Sequence, residues 1–111
     1  MIEKIVLDYL NEKLTVEACM EEKERMPEEY ILIEKTGDGG DSCIRNATLA
    51  IQSFSASKFK AANLNEKVIE EMENIIELDD ISKCTLNSSY DYTDTKKKKY
   101  RYQAVFDIVH Y

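Results

Sequence analysis

Few residues in this 111-residue chain have side chains suited to catalysis or metal binding. They are one histidine, His110, three cysteines, Cys19, Cys43 and Cys84, and an acidic glycine cluster, Gly37-Asp38-Gly39-Gly40-Asp41. A histidine works as a general base only beside a positioned nucleophile and a group that orients its ring. His110 has neither next to it in sequence and is read as packing at a strand end. Cys43 follows the glycine cluster and is read as a structural thiol rather than as a nucleophile paired with His110. Three widely spaced cysteines with no CxxC imply neither a disulfide framework nor a zinc knuckle. The glycine cluster lacks the lysine of a phosphate loop and the spacing of a dinucleotide fingerprint, and it leads into a strand rather than a helix. Asp38 and Asp41 do not alternate as calcium-loop ligands do. A turn needing positive φ explains the cluster, so no catalytic residue, cofactor or metal is expected.

Charge points the same way. The formal net charge is −7, which argues against nucleic acid as the main partner because binding a polyanion relies on basic side chains that displace counterions. The one basic run, Lys96-Lys97-Lys98-Lys99, is flanked by Tyr92, Tyr100 and Tyr102 and has a superficial look of aromatic and basic interleaving. On an acidic chain it reads better as a solvated hairpin tip or as a contact to an acidic surface. Glu66, Glu70, Glu73 and Glu77, at i+4, i+3 and i+4 steps along one helix, form such a surface. Pairing of that helix in one copy with the lysines of the next would favour a head-to-tail ring.

These residues need a scaffold. With 43% hydrophobic and 33% charged residues the chain suits one folded domain, and no apolar run approaches the roughly 20 residues of a membrane span. Met1 leads directly into an amphipathic pattern rather than a signal peptide, so an intracellular protein is expected. Ile2, Ile5, Val6, Tyr9, Leu10 and Leu14 predict a first helix over 2–14. Val16, Ala18 and Met20 alternate as a short strand, 21–29 reads as a loop, and Tyr30–Ile33 after Pro27 as a second strand. A third strand is predicted from Ile44 to Ser55, with Ala47, Leu49, Ile51 and Ser53 on one side.

Ser55 and Ser57 are both candidate N-caps of a long helix to Ile76, with Phe59, Ala62, Val68, Ile69, Met72, Ile75 and Ile76 on its apolar face. A strand from Ile81 to Tyr92, a polar turn through Lys99 and a last strand, Tyr100–Tyr111, complete the chain. In that last strand Tyr102, Ala104, Phe106 and Ile108 share one face, while Val105, Val109 and Tyr111 make the other largely apolar. The fold expected is α+β: a mainly antiparallel twisted sheet of about four to five strands with two helices packed on one face. Its second apolar face would then need cover from other chain or another subunit.

Three stretches, Ala47-Thr48-Leu49-Ala50-Ile51-Gln52-Ser53-Phe54, Ala61-Ala62-Asn63-Leu64-Asn65-Glu66 and Tyr100-Arg101-Tyr102-Gln103-Ala104-Val105-Phe106-Asp107, carry a family resemblance. The chain resembles the small tail terminator, or tail-completion, proteins of siphophages and prophages of Gram-positive bacteria. Their likeness extends over the strand after Pro27, the glycine turn and Leu86-Asn87-Ser88. This resemblance implies a non-catalytic subunit that forms a ring, a hexamer, with copies of itself. The ring would cap the tail tube, contacting the major tail tube protein and the head-connector proteins, and would pass from the host cytoplasm into the virion tail. Gly37, Asp38, Gly39, Gly40 and Lys96–Lys99 are the candidate contacts along the ring axis, and Tyr102, Ala104, Phe106 and Ile108, or their opposite-face neighbours, the candidates for the subunit interface. Alternatives are another head-tail joining or minor virion protein, or a cytoplasmic adaptor docking through its acidic helix.

Overall fold

The computed structural model describes residues 1–111 as an α+β fold of two α-helices and a five-stranded, mostly antiparallel sheet. Helix α1 (Ile2–Lys13) leads into β1 (Glu17–Cys19), and strands β2 (Tyr30–Gly40) and β3 (Arg45–Ser55) form a hairpin. Helix α2 (Lys58–Glu73) and a 3-10 turn (Ile75–Glu77) follow, then β4 (Ile81–Asp91) and β5 (Tyr100–His110). The strand order is β1-β2-β3-β5-β4, so the last strand in sequence lies inside the sheet. β1 pairs parallel with β2 and every other pair is antiparallel.

Period-2 alternation in β3 and β5 points Ala47, Leu49, Ile51, Ala104, Phe106 and Ile108 to one side, where both helices cover them. α1 contributes Ile2, Val6, Tyr9 and Leu10 to this core, and α2 contributes Leu64, Val68 and Met72. Ser57 caps α2, its hydroxyl accepting from the Lys60 amide at 3.2 Å, worth about 1 kcal/mol. Ser55, the other cap candidate, ends β3 and donates to Glu29 Oε1 at 2.9 Å. The long helix is shorter than its pattern implied. It stops at Glu73, and Phe59 and Ile76, both expected on its apolar face, are 75% and 55% exposed. Ala61, Leu64 and Asn65 face the sheet instead, because the stripe follows the 61-64-68-72 spacing rather than one that includes Phe59.

The second strand is also longer than expected. β2 runs on through the glycine cluster, with Gly39 paired to Asn46 and Gly40 to Arg45, so the turn itself is Asp41–Ile44. A register shift between Lys35 and Gly37 marks a bulge at Thr36. The positive φ expected in this cluster is found at Gly40, at 99°, and at neither of the other two glycines.

The sheet's second face needs less cover than its sequence implied. At one end Tyr30 and Phe54 stack with centroids 4.4 Å apart, and with Leu32 they form a small cluster packed by Cys19 at the end of β1 and by Met26 of the following segment. Across the middle, buried Gln52 donates to Gln103 Oε1 at 2.8 Å, and Gln103 donates to the Tyr90 hydroxyl. Polar side chains satisfied across three strands thus occupy the position where apolar contact was expected.

Candidate interaction surfaces

The two exposed hairpins named from sequence sit at opposite ends of a molecule 43 Å long and 24–26 Å across. At one end Asp41 shapes the β2–β3 tip: its Oδ1 accepts from the amides of Cys43 and Ile44, both at 2.9 Å, and its own amide bonds the Ile44 carbonyl at 3.0 Å. Those two backbone donors hold the Asp41 carboxyl below its usual range. Asp38 is also held low, by the Lys35 ammonium 2.8 Å away. Arg45 Nε donates to the Gly39 carbonyl at 3.3 Å, fastening the arms of the tip.

At the other end the β4–β5 hairpin is closed by reciprocal backbone bonds between Asp94 and Lys99, at 3.0 and 3.1 Å. Asp94 Oδ1 also accepts from the amides of Lys96 and Lys97, at 3.1 and 3.2 Å, which is the Asx-turn role of an aspartate. Lys98 completes the turn in the left-handed region with φ 52°. The four lysines therefore sit on a single tight turn. Lys99 pairs with Glu22 at 3.3 Å, whereas Lys96, Lys97 and Lys98 have no ion-pair partner. Behind the turn, the Arg101 guanidinium lies 4.6 Å from the Tyr92 ring centroid and 5.5 Å from that of Phe54, anchoring the hairpin to the sheet.

α2 begins at the lysine end, where Lys58 meets Asp91 at 3.6 Å, and runs toward the glycine end, where the 3-10 turn leads into β4. Its exposed Glu66, Glu70 and Glu73 have no ion-pair partner, while Glu77, in the 3-10 turn, meets Lys13 at 3.3 Å. No ion pair joins this acidic row to the hairpin lysines within the protomer.

Tyr102 and Phe106, expected at a subunit contact, both lie on the helix-covered side. Phe106 is 1% exposed between Leu49 and Leu86 in the ladder, so it is core and offers no surface; Tyr102, opposite Ser53, is half-buried. The interface was expected on this face of β5 or on the opposite one, because β5 is apolar on both sides, and only the helices decide which side is lined. His110 and Cys43 lie at the glycine end without bonding each other: His110 Nδ1 faces the Tyr111 carbonyl at 3.2 Å, and Cys43 Sγ faces Ser42 Oγ at 4.0 Å.

One feature escaped sequence reasoning. A cleft of about 780 Å³ opens between α2 and the 14–17 and 27–29 segments, with Leu14, Val16 and Leu64 at its base. Lys60 and Lys67 stand on its helical wall and Glu28 and Glu29 on the other. The i, i+7 lysine spacing was legible, but the facing wall comes from segments about 30 to 50 residues away and leaves no local signal. No protein-family model and no curated protein matches this chain. No helix is long and apolar enough to cross a membrane.

Proposed function

We propose that the chain is a ring-forming structural subunit, without catalysis, of the tail terminator kind, assembling with copies of itself into a hexamer that caps a tail tube and meets the head connector. The observation that carries this reading is the charge layout of the protomer. Three unpaired lysines sit on the hairpin at one end, and the unpaired Glu66, Glu70 and Glu73 lie along the exposed side of α2, which runs from that end toward the other. An elongated subunit with opposite charge at separated positions associates head to tail, and such contacts close into rings when the rotation between copies allows it. A subunit that must touch a tube below and a connector above also needs two distinct exposed ends. The two hairpins supply those ends: the glycine tip with Gly37, Asp38, Gly39 and Gly40, and the lysine tip. In this reading the protein works in the bacterial host cytoplasm during assembly and then in the virion tail.

A second reading, a cytoplasmic adaptor, rests on the same exposed acidic face of α2, which would take a basic partner.

Negative-stain microscopy of the protein mixed with preformed tail tubes separates the two. Rings seated on one tube end, with growth arrested, are the expected result. Tubes that keep growing with bare ends would sink the terminator reading. Reversing Lys96, Lys97 and Lys98 to glutamate, and sparing Lys99 because it holds Glu22, is expected to abolish capping while circular dichroism stays unchanged.

A further inference from the structure

We propose that the cleft between α2 and the 14–17 and 27–29 segments is a binding site for an extended peptide of alternating charge, with acidic side chains turned to α2 and a basic one between them turned to Glu28. Its volume of about 780 Å³ falls within the roughly 300–1,000 Å³ of clefts that hold small ligands. Its charges are sorted by wall: Lys60 and Lys67 line the helical side, and Glu28 and Glu29 the other. Neither lysine has an ion-pair partner, nor has Glu28, and no ion pair crosses the cleft. Neighbouring charges are paired, Lys58 with Asp91 and Glu17 with Lys23. The walls are held by the fold rather than by each other. The Tyr9 hydroxyl donates to the Glu71 carbonyl at 3.1 Å and ties α1 to α2, and Ser55 donates to Glu29 Oε1 at 2.9 Å and ties the 27–29 segment to β3. Charges of both signs therefore border one space, with nothing in the protomer to neutralise them.

That layout selects the occupant. A ligand of a single sign, such as nucleic acid or an all-basic segment, meets like charge on one wall, and a wholly apolar one would strip water from unpaired charges. A ligand with both signs satisfies both walls. Main-chain groups narrow the class further. The amides and carbonyls of Thr15, Val16 and Glu28 hydrogen-bond to nothing else in the chain, and the Asn63 carboxamide, one turn after Lys60 on the lysine side, has no partner either. A peptide brings N–H donors and C=O acceptors to such groups at every residue.

Spacing sets the charge pattern. Seven residues of helix separate Lys60 from Lys67 by about 10 Å along the axis. Side chains on one face of an extended chain recur about every 7 Å, a separation that two long, flexible lysines can follow. Acidic residues at i and i+2 therefore reach the two lysines, and the residue between them faces Glu28. Half-buried Leu14 and Val16, with buried Leu64, form the base on which flanking apolar side chains pack. None of the residues bordering the cleft belongs to the acidic row of α2 or to the lysine turn, and the inference does not depend on the ring.

The test titrates two terminally blocked pentapeptides, Leu-Glu-Lys-Glu-Leu and its charge-reversed form Leu-Lys-Glu-Lys-Leu, into the isotope-labelled protein and follows its NMR signals. The first is expected to bind with a Kd of about 0.1–1 mM, the weak range of a small contact, and to shift the signals of Val16, Asn63 and Leu64. The second should bind at least about fivefold more weakly, because it sets two cations against the lysine wall. Lys60→Glu combined with Lys67→Glu should weaken the first peptide about fivefold to tenfold, the loss of two exposed ion pairs, with circular dichroism unchanged because both side chains are exposed. No binding of the first peptide at about 5 mM overturns the proposal. Equal affinity for the two peptides overturns the charge assignment of the walls, and shifts confined to the lysine turn or the acidic row of α2 overturn the site.

Discussion

Alanine substitution at each glycine of the β2–β3 hairpin should separate a residue that the backbone requires from two that it does not. Gly40 has φ 99°, and a Cβ added there would lie 2.4 Å from the Ile44 carbonyl oxygen and 2.8 Å from Arg45 Cα. Both are backbone atoms, so no side chain can swing aside. Left-handed backbone costs a residue with a Cβ about 1–2 kcal/mol. Moving the Ile44 carbonyl also endangers its 3.0 Å bond from the Asp41 amide, worth about 1 kcal/mol. Gly40→Ala should therefore cost about 2–4 kcal/mol, which is about 1–2 M in urea midpoint.

Gly37 and Gly39 give the control. A Cβ on either meets nothing within 4 Å, and neither has positive φ. Their alanine variants should stay near wild type or gain about 0.4–1 kcal/mol through a less flexible unfolded chain. The assay is urea unfolding of the three variants followed by circular dichroism, with an unchanged slope as the check on two-state behaviour. If Gly40→Ala falls within about 0.5 kcal/mol of Gly39→Ala, a difference at the level of ordinary surface substitutions, the argument from backbone geometry is wrong.

Two further outcomes follow from burial. Phe106→Ala should cost about 3–5 kcal/mol, while Phe59→Ser should move stability by no more than about 0.5 kcal/mol, although both residues look alike in an apolar periodicity; thermal melts of the two variants would show it. Burial pushes the Cys84 thiol up to about 11 and that of Cys19 upward too, whereas Cys43 is exposed. Iodoacetamide at about pH 8 should therefore label Cys43 first in the native protein, with the other two reacting after denaturation; peptide mass spectrometry showing equal rates would contradict this.

Much of the scaffold was legible because its signals are local. The alternation of Ala47, Leu49 and Ile51 marked the third strand and set them on one side, without saying which side the helices cover, and Ser57 was one of two candidates for the start of α2. Errors arose where two residue sets compete for one surface. Phe59 is apolar and near helical phase, yet the Ala61-Leu64-Val68-Met72 stripe fills the space over the sheet. β5 is apolar on both faces, so its sequence could not say which side the helices take, and Phe106, one of the contact candidates, is core. The second sheet face looked bare because a side-chain chain such as Gln52–Gln103–Tyr90 joins residues 13 and 51 positions apart and has no sequence period. The hairpins as exposed tips were legible from glycine, aspartate and lysine content. Their placement at opposite ends, which gives the charge layout its meaning, required the strand order.

That order also bears on how the chain reaches its fold. β5 lies between β3 and β4, and its pairing with β3 joins residues from 45 positions apart, Ser55 with Tyr100, to 65 apart, Arg45 with His110. The hairpin, both helices and β4 can all be synthesised before the strand that binds them together exists. Until residues 100–110 insert, β4 has no strand beside it and the floor beneath α2 is incomplete. Closing such long loops carries an entropy cost that is recovered only when the middle strand is seated, so the topology places this protein toward the slow end of the range for domains of its size. A cell making it must shelter the hairpin, both helices and β4 while the apolar face that β5 completes is still open.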